Sequence, residues 1–181
     1  DYNKINDLLA KNVKENIPNE IPRKNIGNIL LTGATGFLGA HILDAFLNLE
    51  PNSTVYCLVR NKNNINYKER LKNILQFYFG DKYLNSFDTK IKVINGDVTK
   101  KDFGLNKNTL DIISHNISAV INSAALVKHY GNYNKFYLIN VTGTQNVIDF
   151  CKKYNKNSRR FPKVKFSRNK CRNWKRGYSY I

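Results

Sequence analysis

The residues with the clearest chemical meaning are the glycines of the segment TGATGFLG, residues 32–39. It follows a short apolar run, 28–32, that is typical of a buried strand, and it precedes apolar residues at helical spacing. In that context Gly33 permits a tight turn, Gly36 lets the backbone approach a pyrophosphate, and Gly39 lets the helix pack closely on the sheet. Free N–H groups at the helix N-terminus would then bind the phosphates. The segment predicts a dinucleotide site, and a glycine-rich turn without a ligand is the alternative.

The end of the second predicted strand bears on which dinucleotide binds. Sites for NAD usually place an acidic residue there, about 20 residues beyond the glycines, to bind the ribose hydroxyls. Here the strand ends at Arg60, with Lys62 shortly after it and no acid. A guanidinium can bind a 2′-phosphate with two hydrogen bonds, and Lys62 and Arg70 could add charge. This favours NADP(H), whereas a solvated arginine at a strand end is the alternative.

Two further strand ends carry candidate contacts. Asp97 and Val98 follow the third strand, where the carboxylate could accept from the adenine amino group and the valine could pack on the ring. A turn-forming aspartate is the alternative. Small residues at 122–125, after the fourth strand, would let a dinucleotide lie across the strand ends, and they would equally suit close packing.

These residues must be positioned by alternating strands and helices. Strands are predicted at 28–32, 54–59, 91–94 and 119–121. Two helices are predicted where apolar residues recur at helical spacing: at Leu38, Ile42, Ala45, Phe46 and Leu49, and at Leu71, Ile74, Leu75 and Tyr78. A short helix is predicted at Ile112 and Ile113. A last helix is predicted over Tyr133–Tyr154, with an inner face formed by Tyr137, Val141, Val147 and Phe150. The alternation predicts an α/β fold of Rossmann type, a doubly wound parallel sheet that is incomplete at its C-terminal end. We expect a lead-in at 1–25, an NADP(H)-binding domain at 26–154 and a basic tail at 155–181.

Charge and cysteine content limit the other function classes. The net charge of the 181 residues is +17, but 12 of the 30 basic residues lie in 152–176 with no acid among them. The remainder has 18 basic and 13 acidic residues, a net charge of +5. The three cysteines, Cys57, Cys151 and Cys171, are an odd number without a CxxC spacing, which argues against a disulfide framework or a zinc site. Their number favours a reduced, cytoplasmic compartment. No apolar run approaches the roughly 20 residues of a membrane span.

Five segments together resemble the extended short-chain dehydrogenase/reductases: TGATGFLG at 32–39, CLVR at 57–60, GDV at 96–98, NSAA at 122–125 and NVTGT at 140–144. The chain is most similar to the thioester reductase branch, which includes the terminal reductase domains of nonribosomal peptide synthetases and polyketide synthases and the reductase domain of carboxylic acid reductases. The resemblance covers about 26–154.

The resemblance implies NADPH-dependent reduction of an acyl or peptidyl thioester, held on the phosphopantetheine arm of a carrier domain, to an aldehyde or alcohol. The lead-in is similar to a linker that follows such a carrier domain. Motifs and resemblance together predict these cofactor contacts: Thr32, Gly33, Thr35, Gly36, Phe37, Leu38, Gly39, Arg60, Arg70, Asp97, Val98, Ser123, Ala124, Ala125 and Asn140.

Such enzymes also need a Ser or Thr after a fifth strand and a Tyr-xxx-Lys pair further on, which assist the developing oxyanion. The only Tyr-xxx-Lys match is Tyr78 with Lys82, which lies before the third strand, far from the expected place. Residues 161–167 are the nearest imitation of a fifth strand, with Ser167 as a candidate catalytic serine. We therefore predict cofactor binding with little or no turnover, and we interpret the tail as a product of a shifted reading frame or a truncation.

Other functions remain open at this point. A fatty acyl-CoA reductase would share almost every motif, whereas a sugar-nucleotide epimerase usually holds NAD and carries an acid where Arg60 stands. A catalytically inactive NADPH-binding scaffold fits the missing pair. A nucleic-acid module is suggested by the tail, with Trp174, Tyr178 and Tyr180 available for stacking, but the charge is confined to a segment without a folded pattern, so we expect no specific nucleic-acid partner.

Overall fold

Five parallel strands form a single sheet in the computed structural model, which describes residues 25–62, 64–128, 130–155 and 163–164. The strands are β1 (Ile29–Thr32), β2 (Val55–Val59), β3 (Ile91–Asn95), β4 (Ala119–Asn122) and β5 (Lys163–Val164). Their order is β3-β2-β1-β4-β5, and each neighbouring pair is parallel. The chain therefore places β2 and β3 in order on one side of β1, and then crosses back to place β4 and β5 on the other side of β1.

Helices connect the strands. They are α1 (Phe37–Leu49), α2 (Tyr67–Phe79), α3 (Lys107–Asn116), α4 (Tyr133–Phe136) and α5 (Gly143–Asn155), with a π-helical segment (Tyr137–Thr142) joining the last two and a 3-10 segment (Gly80–Ser86) after α2. Asparagines begin three of them, because the side chains of Asn66, Asn106 and Asn132 accept hydrogen bonds from backbone N–H groups of the first turn. Gly80, with φ +58°, ends α2.

The core divides into two clusters, one on each face of the sheet, because successive strand residues point to opposite faces. In β1, Ile29 and Leu31 belong to the first cluster and Leu30 to the second. The first cluster packs under α1 and α2, and the second packs under α3 and α5. The prediction of a doubly wound parallel sheet is confirmed.

The predicted inner face of the last helix is wrong in its first half. Val147 and Phe150 are buried, but Tyr137 and Val141 are 49% and 42% exposed. Both residues lie within the π-helical segment, whose wider turns rotate them away from the buried stripe that follows.

The apolar residues that predict α1 match its buried stripe only in part: Phe46 is buried and Ile42 packs against the first cluster. The buried residues are Gly39, Ala40, Leu43, Phe46 and Leu47, whereas Leu38 and Leu49 are exposed. Gly39 lies against the turn after β1, so the stripe that faces the sheet begins there rather than at Leu38.

A short strand lies inside the predicted segment 161–167. β5 pairs with β4 through Ala119 with Lys163 and Val120 with Val164. Ser167, the lead-in up to residue 24 and the rest of the basic tail lie outside the described residues. Within the described residues no helix is long and apolar enough to cross a membrane, and no group of three or more His, Cys, Asp and Glu could hold a metal ion.

Candidate dinucleotide-binding site

A cleft of about 330 Å³ lies at the carboxyl ends of the strands, at the point where the strand order reverses between β1 and β4. This is where ligands bind in open α/β sheets, because the loops from the two halves of the sheet diverge to opposite faces there. The lining comprises Gly33, Thr35, Gly36, Leu58, Val59, Arg60, Lys62, Arg70, Gly96, Asp97, Val98, Thr99, Ser123, Ala124, Ala125, Leu126 and Ile139.

Two glycines of the turn after β1 are required by the fold itself. Gly33 has φ +75°, and a Cβ there would lie 2.6 Å from the backbone of Ser123 and Ala124. A Cβ at Gly39 would lie 2.1 Å from the carbonyl oxygen of Gly33. These positions therefore bring the turn, α1 and the end of β4 into backbone contact.

The glycine at position 36 has a different meaning. Gly36 begins α1 with φ −92°, which any residue can adopt, and its N–H donates to the Gly33 carbonyl over 2.9 Å. A Cβ there would meet only that carbonyl oxygen, at an ordinary 3.4 Å. Since Gly36 lines the cleft and no side chain caps the helix, the missing Cβ leaves room for a ligand next to the helix N-terminus.

One wall of the cleft is cationic. Arg60 lies directly after β2, and the Arg70 guanidinium, reaching across from α2, donates to the Arg60 carbonyl oxygen and lies 3.5 Å from the Thr35 hydroxyl. Burial, together with the charge of Arg60, lowers the pKa of Arg70. Among the described residues no carboxylate pairs with Arg70, and Lys62 adds a third positive group. The wall is suited to an anion.

Asp97 is held firmly next to the cationic wall. The Thr99 N–H and hydroxyl both donate to its Oδ1, over 2.9 and 2.8 Å, and its Oδ2 lies 3.3 Å from Nη1 of Arg60. Burial raises the pKa of Asp97, but the bonds from Thr99 and the charge of Arg60 outweigh it, so the pKa lies below its ordinary value. The carboxylate is therefore ionised and fixed in direction at neutral pH.

The floor of the cleft joins β1 to β4 through short hydrogen bonds. The fully buried Thr32 donates its hydroxyl to Oδ1 of Asn122 over 2.5 Å, and Ser123 donates its hydroxyl to the Thr32 carbonyl over 2.6 Å. Both side chains are thus used within the protein. Because Ala124 and Ala125 have small side chains, they leave open space in the cleft above this part of the floor.

Asn140 acts on the loop that follows β4. Its side-chain amide accepts from the Leu126 N–H over 2.8 Å and donates to the Leu126 carbonyl over 3.1 Å. Both ends of the amide are therefore bonded to one backbone unit. The neighbouring residues Leu126 and Ile139 line the cleft, and Asn140 itself does not.

Ten of the fifteen residues predicted as cofactor contacts line the cleft, and five do not. The five are Thr32, Phe37, Leu38, Gly39 and Asn140. Phe37 and Leu38 form the start of α1 with side chains 68% and 62% exposed.

Sequence reasoning missed six lining residues: Leu58, Val59, Gly96, Thr99, Leu126 and Ile139. Thr99 had a usable signal, because a hydroxyl two residues after an aspartate is typical of a turn closed by that carboxylate. Leu126 and Ile139 had none, because their places depend on the amide of Asn140.

Comparison with known proteins assigns this architecture. An NAD-binding family model described as Male sterility protein matches residues 31–165. The chain belongs to this family. The Male sterility protein match extends from β1 through β5, so it includes the whole described sheet apart from the first two residues of β1.

The relatives of this Male sterility protein domain are reductases and synthases. The chain is 35% identical over 153 residues to a probable polyketide synthase of Dictyostelium discoideum, which covers 82% of the chain and 5% of the synthase. It is 31% identical over 126 residues to a putative fatty acyl-CoA reductase of Drosophila melanogaster, covering 69% of the chain and 23% of that protein.

Among solved structures, a thiolation-reductase di-domain from an archaeal nonribosomal peptide synthetase is similar, with a TM-score of 0.61 and 36% identity, covering 71% of the chain and 26% of the di-domain. The chain thus spans between 5% and 26% of the length of these relatives. The resemblance to the thioester reductase branch of the extended short-chain dehydrogenase/reductases is confirmed, and with it a fold that binds a nicotinamide dinucleotide.

Proposed function

We propose that the chain is the NADPH-binding part of a reductase that acts on an acyl or peptidyl thioester carried on the phosphopantetheine arm of a carrier domain. The observation that carries the cofactor part is the cationic wall of Arg60, Arg70 and Lys62 beside the open backbone at Gly36. The carrier part is supported by the relatives, which include a thiolation-reductase di-domain and a polyketide synthase.

The choice of NADPH over NADH follows from charge. An NADH site needs an acceptor for the ribose hydroxyls at the end of β2, and this chain has Arg60, Asn61 and Lys62 there. A 2′-phosphate brings up to two negative charges and three acceptor oxygens, which suit two guanidiniums held together. Asp97 lies beyond β3, so its carboxylate remains available to the adenine amino group, as the sequence predicts.

The described residues bind and orient the dinucleotide. The N-terminus of α1 holds the pyrophosphate, and the low surface at Ala124 and Ala125 lets the nicotinamide half pass over β4. When bound, the cofactor supplies a hydride to the thioester carbonyl. Asn140 belongs to this arrangement indirectly, since it fixes the Leu126 backbone beside that path.

The catalytic part of the proposal remains a prediction. The described residues contain no Tyr-xxx-Lys pair in the expected place, and Ser167 lies outside them. We therefore expect this chain to bind NADPH and to reduce thioesters at a rate lower by on the order of 10³-fold or more than a reductase with the pair.

A fatty acyl-CoA reductase is the second candidate, because the chain is 31% identical over 126 residues to the putative reductase of Drosophila. It would use the same cofactor cleft and differ in the donor of the acyl group. Reduction by a full-length protein of the same acyl group on coenzyme A and on a carrier domain would distinguish the two.

The cofactor proposal is tested by titrating the chain with NADPH and NADH at two salt concentrations, using calorimetry. We expect saturable, NADPH-selective binding that weakens with salt. Changing Arg60 to Ala should lower NADPH affinity roughly 10- to 100-fold while changing NADH affinity little, as expected for charge-assisted hydrogen bonds. The matched control is Lys68→Ala, which removes an equal charge from an exposed pair with Asp88 outside the cleft. Equal affinity for both nucleotides, or none, would contradict the proposal.

A further inference from the structure

We propose that Phe103 is a positioning residue for the dinucleotide, which holds Asp97, and through Asp97 the Arg60 guanidinium, by anchoring a left-handed turn in the core. The inference rests on the proposed function, since it concerns the same cleft. Phe103 does not line the cleft and no sequence motif draws attention to it.

The backbone of this turn is unusual. Asp102 has φ 50° and ψ 28°, Phe103 has φ 59° and ψ 15°, and Gly104 has φ +68°. Three successive residues are therefore left-handed. Glycine adopts this conformation freely, but a bulky side chain rarely does, because its Cβ crowds the following carbonyl. A strained turn of this kind persists only where its surroundings hold it.

The core supplies that restraint. The Phe103 side chain is 1% exposed, and it packs in the second cluster with its ring centroid 5.2 Å from that of Phe150. The side chain of Asp102 is bonded to Nζ of Lys153 over 3.1 Å. α5 thus holds the turn at two successive residues.

The turn is bonded directly to Asp97. The Phe103 carbonyl accepts the Asp97 N–H over 2.9 Å, and the Asp97 carbonyl accepts the Lys100 N–H over 3.0 Å. A Cβ at Gly96 would lie 3.1 Å from the Phe103 carbonyl oxygen and 2.5 Å from Cδ1 of Leu58, so this glycine makes room for the turn. The segment from Gly96 to Gly104 is closed on itself, and its first four residues, Asp97 among them, line the cleft.

The consequence is a short chain of contacts from the core to the cationic wall. One hydrogen bond links Phe103 to Asp97, and one ion pair of 3.3 Å links Asp97 to Arg60. Without the ring, the turn can relax to an ordinary negative φ, which moves its carbonyl away from the Asp97 N–H. Asp97 then loses its direction, and Arg60 loses the group that orients it.

The test compares variants of the same chain by NADPH and NADH titration, together with thermal unfolding. Phe103→Ala removes the anchor, and Gly104→Ala strains the turn at φ +68° without changing the core cluster. The matched control is Ile113→Ala, which trims the same cluster from α3 at a residue 1% exposed and leaves the contact between Phe103 and Phe150 in place. We expect both turn variants to lower the NADPH to NADH affinity ratio by about fivefold, the size expected for one misplaced hydrogen-bonding group, and the control to lower only the unfolding midpoint.

Four outcomes are distinguishable. A reduced ratio in both turn variants with an unchanged ratio in Ile113→Ala supports the inference. If Phe103→Ala does not fold, Gly104→Ala alone decides the outcome. If the wild-type chain prefers NADPH and the folded turn variants keep its ratio, or if Ile113→Ala lowers the ratio equally, this inference is overturned and the proposed function stands. If the wild-type chain binds neither nucleotide, both are overturned.

Discussion

Arg60 and Asp97 follow neighbouring parallel strands, and their side chains meet across the strand ends with 3.3 Å between Nη1 and Oδ2. Val59 at the end of β2 pairs with Asn95 at the end of β3, so the register places the two residues on adjacent loops. The Arg60 side chain is 49% exposed, which leaves it free to exchange part of this pair for a phosphate. A carboxylate therefore orients the cation that we assign to the 2′-phosphate.

The pair predicts a specific loss of stability in acid. The pKa of Asp97 in the folded chain lies below its ordinary value of 3.8, chiefly because the Thr99 bonds and the Arg60 charge outweigh the effect of burial. A carboxylate with a lowered pKa stabilises the fold above its unfolded-state pKa, and this contribution is lost as the pH falls through the folded-state pKa. Asp97→Asn should therefore be less stable than wild type at pH 7, with a shallower fall in stability below about pH 4.

The measurement is the free energy of unfolding by urea at a series of pH values for the two proteins. Parallel curves that differ by a constant would show that Asp97 ionises alike in the folded and unfolded chains. That result would contradict a stabilising interaction of its carboxylate with Arg60 and Thr99.

Two glycines of the turn after β1 are predicted to affect different properties: Gly36 the binding of the dinucleotide, and Gly39 the stability of the fold. Gly36→Ala places a methyl group in the cleft at a position where the protein itself has room. We expect an almost unchanged unfolding midpoint and at least a tenfold weaker affinity for NADPH, because the methyl group blocks the approach of the pyrophosphate.

Gly39→Ala is the matched comparison in the same helix. Alanine is intrinsically better than glycine inside a helix by about 1 kcal/mol. The added Cβ would nevertheless lie 2.1 Å from the Gly33 carbonyl oxygen, so we expect a net destabilisation of about 1–3 kcal/mol. If Gly36→Ala unfolds as readily as Gly39→Ala, position 36 is a packing glycine and its assignment to the ligand is wrong.

Local sequence was sufficient for the parts of this fold that depend on neighbours along the chain. The glycine turn, the parallel strands and the strand-end position of Arg60 follow from patterns within a few residues. Their common edge follows from topology, since the carboxyl ends of parallel strands lie together.

Features set by distant contacts could not be predicted in this way. The π-helical segment before Gly143 coincides with close packing, because a Cβ at Gly143 would lie 3.2 Å from Cγ2 of Val98. The sequence shows only a glycine within a helix. Likewise, the left-handed conformation of Phe103 depends on a core that forms from strands and helices far along the chain.

The hydrogen bonds of the Asn140 amide predict that aspartate cannot replace asparagine at this position, although the two side chains have nearly the same shape. Asn140→Asp can still accept from the Leu126 N–H, but a carboxylate cannot donate to the Leu126 carbonyl and instead faces its lone pairs. We expect a loss of about 1–3 kcal/mol of stability and weaker NADPH binding, because the loop beside the cleft loses its clamp.

The control for this variant is Asn134→Asp, which adds the same charge at an exposed position of α4. Urea unfolding and NADPH titration of both variants are the measurements. Equal effects of the two changes would mean that charge, rather than the clamp on Leu126, accounts for the loss.

The buried thiols offer a way to observe the cofactor without catalysis. Cys57 is fully buried in β2 and Cys151 is 6% exposed in α5. Burial raises the pKa of Cys151 to about 11 and raises that of Cys57 further. Because the thiolate is the reactive species, neither should react with iodoacetamide at pH 8 while the chain is folded.

Labelling of Cys57 should therefore require unfolding of the sheet, and NADPH should suppress it. A ligand that binds only the folded state lowers the unfolded population by the factor 1 + [L]/Kd, about 100-fold when NADPH is present at 100 times its Kd. Mass spectrometry of tryptic peptides reads the labelling rate of Cys57 separately from the other cysteines. NADH at the same concentration is the control and should protect less. Rapid labelling that neither nucleotide slows would show that β2 does not lie in a stable sheet carrying this cofactor site.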